Sequence, residues 1–390
     1  MSGADVVLPD LDVRPHGQEW LVGRQDTGRA VALPPEGLDA LLLLAAGCPP
    51  EEARAVLRSA TGRDLDVRAF AEALGRTGLA DAVGERRYEH RPVKEAFPAV
   101  RPRHVRWTLH PALHGALLAL AACGPVVAVA KPGALPAWSD LLAPAYGSFT
   151  LLMQALVAWT LILLHELAHL LTARAAGVRG RLSLGTRLQF LVAQTEVSGI
   201  WLKGRRERLT VYLSGLVLDG AIGSACLLAR AAGAESPVLS VIVLTLLSSS
   251  AVQCLVFMRT DLYFVLQDVS GRRNLYAEAG AFLRQPFSGA RQAPGPVVRV
   301  YTALVVVGSV ATVAFGLAML HEVSLPLAAR SVGVLARGGG PLERADALVT
   351  LGVLVLVQGL WARMWWRRHG RTVRRWGRSA WTWLRRRRPS

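Results

Sequence analysis

From about residue 109 to 366 the chain alternates long apolar runs with short polar stretches. The runs fall at about 109–130, 147–171, 209–229, 237–258, 298–320 and 345–366. Each is close to the ~20 residues that a helix needs to cross a bilayer. The first 85 residues keep a different rhythm. Glu19-Trp-Leu-Val22 and Arg29-Ala-Val-Ala-Leu33 predict two short strands around the turn Asp26-Thr-Gly28. Pro34-Pro-Glu36 opens a helix to about Ala46, with Gly47 closing it. Pro49-Pro50-Glu51-Glu52 starts a second helix to about Ala60, and Asp66 caps a third over 67–75. The pattern as a whole predicts a mainly α chain, a polytopic six-helix transmembrane bundle behind a small α+β winged-helix-like domain. The expected divisions are a cytosolic N-terminal domain over 1–85, a basic linker over 86–108, the membrane domain over 109–366 and a basic tail over 367–390.

Charge sharpens this picture. The 390 residues carry a net +17, a balance that would usually suggest nucleic acid. Its placement argues otherwise. Residues 1–85 hold 8 Arg against 14 Asp and Glu, and an acidic module repels phosphate, so no nucleic-acid partner is expected. The basic residues instead gather at the ends of apolar runs, where the lipid bilayer and topology account for them. With the N-terminus inside, the segments 86–106, 172–208, 259–299 and everything from 363 carry 32 Lys and Arg. The segments that would face outside, 131–145, 230–236 and 321–344, carry 5. That asymmetry predicts six spans with both termini cytosolic. Ten Arg follow Met364, interleaved with Trp376, Trp381 and Trp383, and suit an anchor on an anionic headgroup surface. The first 30 residues are acidic and lack the apolar centre of a signal peptide. Cys48, Cys123, Cys226 and Cys254 form no Cys-x-x-Cys pair and read as core thiols.

The chemistry lies in the second run, at Leu161-Ile-Leu-Leu-His165-Glu166-Leu-Ala-His169-Leu-Leu171. Two histidines four apart share one face of a helix, with a glutamate beside the first. This is the His-Glu-x-x-His pattern of zinc hydrolases, two imidazole ligands and a carboxylate that takes a proton from water. Ionisable groups within a spanning segment are costly and mark function by default. Counting back from Arg174 puts the histidines roughly 8–14 Å inside the cytosolic boundary. A catalytic zinc site needs a third protein ligand. Asp219, within Leu213-Ser-Gly-Leu-Val-Leu-Asp219-Gly220, and Asp261, within Phe257-Met-Arg-Thr-Asp261-Leu-Tyr-Phe264, both reach a suitable depth. Depth favours Asp261 and geometry leaves both open. The stretch from Arg181 to Leu202 is β-branched and aromatic but too short to span. It predicts short strands at the membrane face, with an edge able to pair with an extended substrate. His110 and His114 repeat the i, i+4 spacing without an acid and read as interfacial, while His321-Glu322 reads as solvated.

Two resemblances extend this reading. Trp20-Leu-Val-Gly-Arg24, Val31-Ala-Leu-Pro34, Asp64-Leu-Asp66 and Leu74-Gly-x-x-Gly78-Leu79 resemble PqqD-like domains. That resemblance implies a module that binds the leader of a precursor peptide. Residues 150–285 resemble site-2 protease-like intramembrane zinc metalloproteases, in particular their bacterial peptide zinc metalloprotease branch. There His165 and His169 match two Zn²⁺ ligands and Glu166 the catalytic acid/base. Thr260-Asp261-Leu-Tyr-Phe-Val-Leu-Gln-Asp268, with Asn274-Leu275, is similar to an Asp-Gly-Tyr-Tyr-x-Leu-x-Asp segment whose first Asp is the third ligand. This chain has Leu262 where that segment has Gly, and no Asn-Pro precedes the Asp. The resemblance implies a zinc-dependent metalloendopeptidase of the bacterial cytoplasmic membrane, cleaving a peptide or membrane-protein substrate. A non-catalytic component for peptide binding, export or immunity is the competing class.

Overall fold

The computed structural model describes residues 6–142, 144–187, 190–271, 275–284 and 295–386. Asn274 and the last four residues of the basic tail, both invoked above, lie outside the described residues.

The N-terminal part builds a three-helix core flanked by short strands. Strand β1 (Val6–Val7) is followed by a meander of β2 (Asp12–His16), β3 (Glu19–Arg24) and β4 (Arg29–Leu33). Helices α1 (Pro35–Ala45), α2 (Pro50–Thr61) and α3 (Val67–Thr77) follow, then the hairpin β5 (Ala82–Val83) and β6 (Arg86–Arg87), which pairs with β1. The helices start where the sequence puts them. Pro sits at the first turn of α1 and α2, and the Asp66 side chain accepts from the Ala69 amide at 2.9 Å. Four of the strands escape the sequence reading. β1, β5 and β6 are two residues long, too short to show a period. β2 contains Pro15 and charged residues, and Pro is tolerated there because β2 is an edge strand. Val22, Leu41, Leu44, Leu74 and Leu79 fill the core between these layers. Arg24, 7% exposed, donates to Asp26 on the turn and to Asp81 beyond α3. Its guanidinium holds the Asp26 carboxyl below the usual carboxylate range.

A short helix α4 (Pro102–Val105) leads into the apolar helices α5 (Pro111–Ala130), α6 (Gly147–Ala175), α7 (Arg205–Ala231) and α8 (Pro237–Gln253). After α9 (Asp261–Ser270) and α10 (Leu275–Arg284) come α11 (Pro296–Met319), α12 (Leu325–Arg337) and α13 (Pro341–Arg386). Among the described residues, five helices are long and apolar enough to cross a membrane: Pro111–Ala130, Gly147–Ala175, Arg205–Ala231, Pro296–Arg337 and Pro341–Met364. Val126, Val129, Leu156, Val310 and Val355 stand exposed on their outer faces, a cost in water that lipid removes. α7 is the hub, packing against α5, α6, α8 and α9. The start of α6 is pinned to α13, because the Gly147 and Ser148 amides donate to Asp346 at 3.0 and 2.9 Å.

Three expected boundaries shift. The fourth apolar run yields only the 17-residue α8, about 25 Å of helix. Residues 254–258 turn back instead, with Leu255 and Val256 buried, because apolarity alone does not separate a spanning helix from a buried turn. The stretch 321–344, expected as a loop, is largely helix. A π-helical turn over Leu320–Ser324 carries α11 into α12, and the helix stops at Gly338 (φ +82°). The wide turn accommodates Pro326, which has no amide to donate. α13 continues unbroken through the expected tail to Arg386. Of the cysteines, all unpaired, Cys226 is buried, but Cys123 stands exposed on α5 rather than in a core. His110 caps α5 by accepting from the Ala112 amide at 3.2 Å, and His321 is exposed against Glu322.

Between α6 and α7 the chain forms the antiparallel hairpin β7 (Arg181–Arg187) and β8 (Phe190–Glu196), then a 3-10 turn over Ser198–Leu202. These are the strands expected for that stretch. The N-terminal meander sits on the turn. A Cβ at Gly23 would fall 2.7 Å from Leu202 Cδ2 and 2.6 Å from the Arg29 carbonyl, so only glycine lets β3 come this close. The linker is stitched to the end of α6. Buried Arg174 donates to the carbonyls of Val100 (2.9 Å) and Ala96 (2.8 Å) and meets Glu95 at 3.3 Å, while the Ala96 amide donates to Gly180. Replacing Arg174 by Leu is expected to raise amide exchange across 93–100 by at least about tenfold, read by mass spectrometry.

Candidate metal centre

α6 places His165 and His169 one turn apart on the face toward α7, 8% and 6% exposed, with ring centroids 4.8 Å apart. α7 crosses at Gly215. A Cβ there would stand 2.6 Å from His169 Nε2 and 2.7 Å from His165 Nε2, so glycine is required for the rings to fit.

The Nδ1 atoms are both satisfied from α7. His169 Nδ1 lies 2.7 Å from the Val211 carbonyl, and His165 Nδ1 lies 2.8 Å from Asp219 Oδ2. A carbonyl and a carboxylate oxygen only accept, so each Nδ1 carries a proton, and in the neutral ring each Nε2 then presents a lone pair. Both lone pairs turn to the same point, with Nε2 atoms 3.1 Å apart.

Asp261 supplies the third atom. α8 ends at Gln253, and the chain passes through a 3-10 turn over Val256–Met258 to Arg259, whose φ of +56° is uncommon for a side-chain-bearing residue. Thr260 is extended, and Asp261 opens α9. Gln253 closes this reversal. Its Nε2 donates to Asp261 Oδ2 (2.9 Å), its Oε1 accepts from the Asp261 amide (3.2 Å), and its carbonyl accepts from Thr260 Oγ1 (2.7 Å). The far end of α9 is held by Arg208 of α7, which grips Asp268 through Nε (3.1 and 3.0 Å) and Nη2 (2.6 Å), both side chains largely buried. Asp261 Oδ2 thereby lies 3.0 Å from His165 Nε2 and 3.3 Å from His169 Nε2.

His165, His169 and Asp261 form a group able to hold a metal ion. The three facing atoms make a triangle with edges of 3.0, 3.1 and 3.3 Å. A tetrahedral zinc with bonds of about 2.0–2.1 Å needs ligand edges of about 3.3–3.4 Å, so the donor set and its spacing fit that ion with a small expansion. A proton on one Nε2 would satisfy one edge of the triangle and leave the rest lone pair against lone pair. Glu166 lines the same cavity, and its carboxylate makes no hydrogen bond among the described residues. The cavity holds about 600 Å³ and runs from β8 past the imidazoles to α8. Thr195 of β8 donates to the Glu166 backbone carbonyl at 2.9 Å, fixing the strand beside the motif.

All four residues singled out in the sequence, His165, Glu166, His169 and Asp261, thus meet in one cavity. Asp219 meets them too, but at the opposite ring nitrogen of His165, where it orients the candidate ligand and stands outside the metal-binding group. Sequence reading missed Gln253 and the partnership of Arg208 with Asp268. The signal available was a buried-depth Gln eight residues before a candidate ligand, which has no distinctive pattern. It also missed Gly215, a small residue nearly three turns from the basic start of α7.

Two substitutions separate the carboxylates. Asp261→Ala is expected to abolish stoichiometric metal binding, measured by elemental analysis of purified protein, while Asp219→Asn weakens it about 10- to 100-fold. Gly215→Ala is expected to lose the metal with helical circular dichroism unchanged. Compared with known proteins, the chain matches no family model, no curated protein and no solved structure, so the reading of this centre rests on its own geometry.

Proposed function

We propose that the protein is a membrane-embedded, zinc-dependent endopeptidase of the site-2 protease type. The observation that carries this reading is the convergence of two Nε2 lone pairs and one carboxylate oxygen beside an unbonded glutamate, inside a cavity edged by a β-strand. On this reading α8 is the short fourth of six spans, and both termini are cytosolic. Loop charge supports that orientation.

His165, His169 and Asp261 would hold Zn²⁺, which would supply Lewis acidity to a carbonyl and lower the pKa of water toward neutral. The chain's own groups do the rest. Glu166 accepts a proton from the attacking water and returns it to the leaving amine. Asp219 and the Val211 carbonyl hold the two imidazoles in the tautomer that faces the ion. β8 offers an edge along which an extended peptide can add a strand, and Ala193 to Glu196 of that strand line the cavity. The walls of α6, α7 and α8 keep bulk water from the rest of the peptide.

The N-terminal domain suits a presenting role, as a winged-helix-like, PqqD-like module for a precursor peptide. Its meander rests on the turn over Ser198–Leu202, and Ser198, Ile200 and Trp201 of that turn also line the cavity. A peptide held by the domain would therefore be delivered next to β8.

Glu166→Gln is expected to keep stoichiometric zinc and to slow cleavage of a co-expressed peptide by at least about 10²-fold. Mass spectrometry of the peptide and elemental analysis of the protein read the two quantities separately. Cleavage at the original rate would reject the mechanism. Zinc binding without any cleavage in the unmodified protein would point to a peptide-binding or export component instead.

A further inference from the structure

The cavity does not end at the metal centre. Beyond His165 it continues along α8, where Thr245, Ser248 and Ser249 line it on one face. These three hydroxyls differ from others in the apolar helices. Ser250 bonds back to Leu246, Thr302 to Val298, Ser309 to Val305 and Thr150 to Tyr146, each to the carbonyl four residues earlier. Thr245, Ser248 and Ser249 have no hydrogen bond among the described residues, although each is partly buried. Asp219 of α7, 8% exposed, lines the same cavity. One of its oxygens holds His165, and the other, Oδ1, is buried without a partner. A buried carboxylate oxygen left unpaired costs free energy that a bound donor recovers.

We propose that this arm of the cavity is a subsite for peptide backbone, in which the α8 hydroxyls and Asp219 Oδ1 bond the amides of the residues next to the scissile bond. The inference rests on the endopeptidase reading above. Its physical basis is that a peptide must be extended to be cut, and an extended backbone within the apolar part of the protein loses its helical partners. Hydroxyls both donate and accept, so they serve N–H and C=O alike, whereas Asp219 Oδ1 serves only N–H. Side chains on that part of the substrate must be small, since the backbone itself has to reach α8.

The test uses the full chain in detergent, loaded with zinc, and two hydroxamates. Acetohydroxamate reaches only the metal, and an alanyl-alanyl hydroxamate adds backbone amides. The triple variant Thr245→Val, Ser248→Ala, Ser249→Ala should bind the dialanyl compound about tenfold more weakly and acetohydroxamate as before. N-methylating the amides should cost the unmodified protein at least a similar factor and the variant less, since only Asp219 Oδ1 is left there to accept from them. Equal dialanyl affinity in the variant, or equal losses for both compounds, overturns the subsite. Should the variant not fold, the N-methyl comparison in the unmodified protein decides, and equal affinity of the methylated and unmethylated compounds overturns the proposal. Failure of the unmodified protein to bind acetohydroxamate rejects the metal reading itself, and the subsite with it.

Discussion

Two imidazoles buried between apolar helices set the terms for the whole assembly. Each has a ring nitrogen that must be partnered, because an unpaired buried donor costs about 1–3 kcal/mol. Both partners come from α7, the Val211 carbonyl for His169 and Asp219 for His165. Those two contacts, eight residues apart, fix the height and rotation of α7 against α6. Gly215 falls midway between them, facing the rings. The close crossing, the tautomers and the direction of both lone pairs are therefore one constraint. Changing any of the three residues disturbs the other two.

The third candidate ligand reaches the site by a different route, and its placement is less local. Asp261 is the first residue of α9, so its position depends on how the chain turns after α8. Gln253 clamps the near side of the reversal and the Arg208–Asp268 pair clamps the far side. The ion pair joins α9 to α7, the same helix that orients the histidines. α7 thus carries the register for all three donors, although it contributes none of them. Its central packing, touching α5, α6, α8 and α9, is the structural counterpart of that role.

This division explains what the sequence disclosed. His165, Glu166 and His169 are legible because one helical turn brings them together, and spacing along a single helix is written in the sequence. Helices α1 to α3, opened by a first-turn Pro or by the Asp66 cap, are legible for the same reason. Asp261 is visible in the sequence through depth, which Asp219 overlaps, and through the resemblance of its segment to one that carries a ligand. What separates the two is which ring nitrogen each meets, a fact of the α6–α7 crossing that no local pattern encodes. The end of α8 was missed because Leu255 and Val256 are as apolar as a span while being buried in a turn. The run past 320 was missed because a π-helical turn absorbs Pro326, where a proline ordinarily breaks a helix.

Charge balance bears on which ion the proposed centre favours. Asp219 and Asp261 place two carboxylates against His165, and each Nδ1 proton is already committed to an acceptor. With both imidazoles neutral the cluster carries two negative charges in a largely buried site, and isolated buried ions cost several kcal/mol each. A single proton offsets one of them. A divalent cation offsets both and satisfies all three inward-facing atoms at once. Glu166 lies outside that set, on the cavity wall. On the proposed endopeptidase reading, that arrangement leaves one carboxylate apart from the ion to move protons, which a hydrolytic site requires and a purely structural metal site does not.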